Sequence, residues 1–158
     1  MGNVYSIVFI EYTFGYTAAW NYKETCFTEI KIIFYCIFMK NLIIVGAGGY
    51  AKSVLDSVDH MNFKMVGYLD DVKSKGTYHQ GYLVLGNSIE CLENPQDYVY
   101  FVAIGNNAKR KSWFDKLKKK NLSLINVIDK SALISPAATI GEGSFIGKLA
   151  ILNHGSSV

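Results

Sequence analysis

Prolines, cysteines and histidines are scarce in this chain: two, three and three among 158 residues. Cys26, Cys36 and Cys91 show neither CxxC nor CxH spacing, so no zinc or redox motif can be read from them. An odd, scattered set fits a reducing cytoplasm better than a disulfide scaffold. A dominant charge is missing too, since the net value of +3 gives no reason to expect a nucleic acid or a membrane as partner. No stretch supplies the roughly 18 uncharged apolar residues of a membrane helix. The most apolar region, residues 1–38, is interrupted by Glu11, Lys23, Glu24, Glu29 and Lys31. It also lacks the basic start of a signal peptide.

That region holds 11 of the 22 aromatics, no proline and only two lysines, a composition unlike the remainder. Its end, IKIIFYCIF (30–38), can be read as an apolar strand or a weak membrane contact. Met39 is expected to open the folded part, because MKNLIIVGAGG places a complete strand directly behind a methionine. Residues 1–38 are then an atypical extension outside the fold.

From Met39 onward, strand and helix patterns alternate. NLIIV (41–45) is a continuous apolar run of the kind buried in parallel sheets. Tyr50, Ala51, Val54, Leu55 and Val58 mark one face of a helix. KMVGYL, YLVLG (82–86) and YVYFVAIG (98–105) read as further strands, and SIECLEN as a short helix capped by Ser88. NNAKRKSWFDKLKKK reads as a helix with Trp113, Phe114 and Leu117 inward, followed by a strand, LSLINVI. The lysines of KLKKK (116–120) fit a solvated helix end that also suits the helix dipole. The sum is an α/β fold with a small, Rossmann-like parallel sheet.

Two loops carry candidate chemistry. Gly46, Gly48 and Ala51 satisfy the GxGxxG/A spacing between a strand and a helix, where glycines admit close approach and free N–H groups attract a phosphate. Asp70, at the end of the second strand, lies where a ribose hydroxyl would be received, which on its own would suggest an NAD-dependent enzyme. The same tight turn can also serve helix packing alone. AIGNNAKR places Gly105, Asn106 and Asn107 at the same sheet edge, where the asparagines can cap a helix or donate to a ligand.

The last segment has a different period. Ile128, Ile134, Ile140, Ile146, Leu152 and Val158 stand six apart, and Ala132, Ala138, Ser144, Ala150 and Ser156 occupy the fifth place of each unit. Six fits neither helix nor flat strand, but it fits a parallel β-helix in which each hexad makes one short strand and one corner. Val158 is an inward aliphatic with no coil after it, so the chain is expected to be cut inside that domain.

In this order, IIVGAGGYAKSVLD, VGYLDD, FVAIGNNAKR and INVIDKSALISPAATIGEGSFIG resemble the sugar O/N-acetyltransferases of the NeuD and PglD type over residues 39–158. The resemblance implies a nucleotide-sugar-binding Rossmann-like domain at 39–127 and, at 128–158, the start of a left-handed parallel β-helix of hexapeptide repeats. In the complete family the β-helix binds acetyl-CoA as co-substrate, typically between the subunits of a trimer. It further implies that Gly46, Gly48 and Gly49 form the phosphate loop, that Asp70 and Asp71 contact the uridine of a UDP-amino sugar, and that Gly105, Asn106 and Asn107 line the sugar, with Lys73 and Arg110 as further candidates. Tyr50 stands where the better-known acetyltransferase has histidine, and Ala51 where it has glycine.

The family's base is a β-helix histidine followed closely by an acid, acting as a general base on the acceptor. His60 ends the first helix and His79 lies in a polar loop, with solvent exposure accounting for both. His154 lies in the hexads but NHGSS lacks the carboxylate. No catalytic residue is therefore assigned, the expected base lying beyond Val158, and acetyl-CoA is not expected to bind this chain well. The readings left open are an inactive acetyltransferase half, a non-catalytic sugar-nucleotide-binding module, and an NAD-dependent oxidoreductase fragment.

Overall fold

The computed structural model describes residues 39–158; the extension at 1–38 lies outside the described residues. A six-stranded sheet is built from β1 (Lys40–Val45), β2 (Phe63–Leu69), β3 (Tyr78–His79), β4 (Tyr82–Gly86), β5 (Tyr98–Val102) and β6 (Ser123–Leu124), in the order β3-β4-β2-β1-β5-β6. All neighbouring pairs are parallel except β3 with β4. Chain order reverses beside β1: the path runs outward through β2 and β4, then returns to the other side as β5. This places a crevice at the carboxyl ends of β1 and β5.

Alternation along β1 explains why both sheet faces must be covered. Leu42 and Ile44 join Ala51 and Val54 of helix α1 (Gly49–Asp56), whereas Ile43 and Val45 join Trp113 and Leu117 of helix α2 (Asn107–Lys119). All four β1 side chains are fully buried, which accounts for the unbroken apolar run. Asn106 caps α2 by accepting from the Lys109 N–H at 3.0 Å. Phe114 is only half-buried beside the inward Trp113 and Leu117. The basic end of α2 is engaged on its surface: Lys118 pairs with Glu142 at 2.6 Å, Lys120 with Glu90 at 3.0 Å, and Lys116 lies over the Trp113 ring.

Four local expectations need correction. SIECLEN forms only a 3-10 turn, Ile89–Cys91, and the Ser88 side chain makes no cap hydrogen bond. The run 98–105 is strand only to Val102, because the next residues turn into α2. LSLINVI is not one strand: β6 ends at Leu124 and β7 (Val127–Ile128) pairs elsewhere, with β9 (Phe145–Ile146). His79 is not a solvent-facing loop residue, since it lies on β3 with Nε2 buried. Gln80 and Gly81, both at positive φ (48° and 81°), form the two-residue turn joining β3 to β4.

Beyond the sheet, β7 pairs with β9, β8 (Leu133–Ile134) with β10 (Ile151–Leu152), and Thr139 bridges Ser157, all in parallel. Each pairing joins residues 18 apart, as do the Asn126–Ser144, Ser131–Leu149 and Thr139–Ser157 side-chain hydrogen bonds. Three hexads therefore complete one repeat of the pairing. Ile146 and Leu152 are buried, Ile134 and Ile140 half-buried, while Ile128 and Val158 at the two ends are 37% and 57% exposed. This segment is joined to the sheet through Phe145, whose ring meets Phe101 and Tyr50 edge-on at centroid distances of 6.5 and 5.7 Å. Lys148 also forms an ion pair with Asp56 at the end of α1.

Phe101 is 1% exposed and touches both parts. Phe101→Ala is expected to cost about 3–5 kcal/mol, read as a lower urea midpoint with an unchanged slope.

Candidate functional site

Gly46 leaves β1 with φ +98°, and a Cβ there would lie 2.8 Å from the Ala103 carbonyl oxygen and from Ile104 Cγ1. Only glycine permits the two loops of the crevice to come this close. Backbone hydrogen bonds hold the approach: Gly46 N–H donates to Leu69 at 2.7 Å and Ala103 N–H to Val45 at 2.7 Å. Gly48 and Gly49 are unlike Gly46, because both are exposed and a Cβ on either would meet nothing within 4 Å. Gly48 is the N-cap of α1, with no side-chain cap and no acid in the first turn. The positive end of α1 thus faces the crevice uncompensated.

Asp70 sits beneath this loop. Its Oδ2 accepts the Ala47 N–H at 2.6 Å, and its Oδ1 accepts those of Val72 (2.9 Å) and Lys73 (2.7 Å). Burial pushes the carboxyl pKa up, but the N–H groups of Lys73, Ala47 and Val72 outweigh it and hold the group below its ordinary value. Asp71 is exposed and forms an ion pair with Lys109 of α2 at 2.9 Å, closing over the crevice from the β2 side.

On the β5 side, Gly105, Asn106 and Asn107 are exposed. Arg110 folds back over them, donating from Nη1 to the carbonyls of Ile104 (2.8 Å) and Gly105 (3.2 Å) and from Nη2 to Asn107 Oδ1 (2.6 Å). Arg110 therefore stiffens this loop, and Asn106 is engaged as the α2 cap. Tyr50, on the first turn of α1, lies half-buried against Phe145; burial pushes its phenol up, with Arg110 pulling partly the other way. Tyr50, Gly105 and Arg110 on one side, with Gly143, Ser144 and Phe145 on the other, enclose an open cavity of about 450 Å³.

All the candidate residues thus gather at one sheet edge, with Asp71 and Lys73 toward β2 and Gly105 to Arg110 toward β5. Lys109 and Phe145 join them without having been named from the sequence, and so does His79, which its sequence neighbours had assigned to solvent. Lys109 was readable within AKR, one turn into a helix starting at that edge, whereas the other two depend on long-range packing. Among the described residues, no group of three or more His, Cys, Asp or Glu side chains is placed to hold a metal ion. None of the described helices is long and apolar enough to cross a membrane.

Residues 41–117 match the PglD N-terminal domain family. UDP-N-acetylbacillosamine N-acetyltransferase of Bacillus subtilis is 33% identical over 113 residues, covering 68% of this chain and 51% of that one. Over this span the chain is similar to the PglD-type sugar N-acetyltransferases. A point mutant of perosamine N-acetyltransferase from Caulobacter crescentus, solved with CoA and GDP-perosamine, superposes with a TM-score of 0.66 at 27% identity, covering 75% of this chain and 56% of that one. The acetyltransferase domain of PglB from Neisseria gonorrhoeae gives a TM-score of 0.67 at 28% identity, covering 75% and 58%. That domain is also known in complex with acetyl coenzyme A. The alignment spans about half the length of the Bacillus enzyme, and little more of the two solved chains.

Gly46→Ala is expected to destabilise the fold by about 1–3 kcal/mol from backbone strain alone, with a further loss from displacing Ile104, measured by chemical unfolding. Asp70→Asn replaces an acceptor-only carboxylate by an amide whose NH2 opposes an N–H, at an expected cost of about 1–3 kcal/mol near neutral pH. Because the folded pKa of Asp70 lies below its unfolded value, its contribution is present above about pH 4 and is lost as pH falls through the folded pKa. The variant should therefore show a shallower loss of stability between neutral pH and acid. The remaining slope includes Asp129, whose carboxyl is held at about 2 by hydrogen bonds from Ser131 and Ser57.

Proposed function

We propose that this chain carries the nucleotide-sugar-binding half of an acetyl-CoA-dependent sugar N- or O-acetyltransferase and does not transfer acetyl by itself. The observation that carries the reading is the uncapped glycine loop at Gly48 and Gly49, open at the crevice beside the cavity under Tyr50. It suits the diphosphate of a UDP-linked or similar amino sugar, with Asp70 and Asp71 toward the nucleoside and Gly105, Asn106 and Asn107 toward the sugar. Lys73 and Arg110 flank that ligand, and Tyr50 offers a neutral hydroxyl to it.

On this reading residues 39–127 form the Rossmann-like domain and 128–158 the start of a left-handed β-helix of hexapeptide repeats, which the constant 18-residue pairing supports. His154 is exposed and has no acid among its sequence neighbours, so the general base and most of the acetyl-CoA groove belong to coils outside this chain. The complete enzyme would work as a homotrimer in the cytoplasm. A non-catalytic sugar-nucleotide-binding module is the second reading, favoured by the same exposed His154.

Calorimetric titration of the full chain with UDP-N-acetylglucosamine, UDP, GDP and NADH tests the assignment. Saturable binding of a sugar nucleotide without CoA release from acetyl-CoA and an amino sugar nucleotide is the expected result. Acetyl transfer by the isolated chain would show that its base is present, and preference for NADH would replace the reading by an oxidoreductase.

A further inference from the structure

Two side-chain atoms are buried without a hydrogen-bond partner among the described residues, Tyr68 Oη and His79 Nε2, and they belong to touching rings. Tyr68 is 0% exposed on β2, and its ring meets the His79 ring edge-on at a centroid distance of 5.2 Å. Leaving such atoms unsatisfied costs free energy in a finished core, so the pair points to a group that binds there. The β3–β4 hairpin carries His79 over the α1 face of the sheet to the rim of the glycine loop, where the Gly48 backbone lies beside the ring and favours its protonated form.

The surroundings define the chemistry of that group. Lys73, from the loop after β2, and Lys52, from α1, both act on His79 as positive charges, and Asp70 is the acid that faces it. Tyr82 of β4 adds a further phenol beside Tyr68. Asp70 brings one negative charge against two lysines, so the lysines are left without a full counter-charge here.

We propose that His79, packed on Tyr68, is a phosphate-positioning residue that, with Lys52 and Lys73, clasps an anionic phosphate seated on the Gly48 and Gly49 amides. This rests on the reading of the glycine loop as a diphosphate site and extends it to the β3–β4 hairpin. Burial and the two lysines hold the imidazole pKa below its ordinary value in the free protein. An arriving phosphate cancels the lysine charges and offers Nε2 an anionic acceptor, so the ring takes up a proton on binding. Affinity must then rise as pH falls.

The test is calorimetry of the full chain with UDP-N-acetylglucosamine, whose diphosphate diester does not titrate near neutrality, combined with NMR titration of the His79 ring. Binding should tighten roughly tenfold from about pH 8 to about pH 5.5, with proton uptake visible as a buffer-dependent heat. His79→Gln should abolish both the pH dependence and the buffer dependence of binding. Lys52→Ala alters an exposed side chain; it should raise the His79 pKa in the free protein and weaken the ligand at both pH values. Wild-type binding without pH dependence, or a His79 pKa unmoved by ligand, overturns the role of His79 while leaving the diphosphate site intact. No binding at either pH overturns both.

Discussion

Asp70 ties together three strands that would otherwise end independently, two through its carboxylate and one through its backbone N–H. Through Ala47 it fixes the loop after β1, through Val72 and Lys73 it turns the chain leaving β2, and its own N–H donates to Gly86 at the end of β4 at 2.9 Å. An acid buried at a sheet edge is costly unless its lone pairs are filled. Here backbone amides fill them, so the charge becomes a clamp on the glycine turn. The open amides at Gly48 and Gly49 can face a ligand because Asp70 has already aligned the residue before them.

Periodicity made the sheet legible and left its joints obscure. The strand at 82–86 was readable to the residue, since two hydrophobic faces and a terminal Gly86 bound it. β1 was equally plain, because burial on both sides requires an unbroken apolar run. The run from Leu122 to Ile128 misled for the same reason. It serves two sheets in succession, and apolarity does not record the change of partner at Ile125 and Asn126, where Asn126 Oδ1 accepts from Ser144. HQGY concealed a hairpin because glutamine is an unusual companion for glycine in a two-residue turn.

The candidate site was legible as residue types at one sheet edge and illegible as partnerships. Asp71 and Lys109 are 38 residues apart in the chain, and only the fold brings them to 2.9 Å. Arg110 and Asn107 read as ligand contacts, yet in this structure they hold each other and the loop carbonyls. His79 is the sharpest case. Its polar sequence neighbours suggest solvent, whereas its ring packs on Tyr68, a residue whose place in the apolar end of β2 gives no hint of it.

The constant 18-residue pairing beyond residue 126 has a consequence for how this segment can change over time. Ile134 comes to pair with Leu152, and Ile128 with Ile146, because three units separate each pair. Adding or deleting one residue within a short strand would shift that strand's aliphatic residue out of register with its partner 18 residues away. Gains and losses of length are therefore tolerated in whole hexad triplets, or as loops thrown out at a corner such as residues 136–137, where the chain turns without pairing. Chain length in this part of the molecule is quantised, in contrast to the sheet, whose surface loops can lengthen one residue at a time.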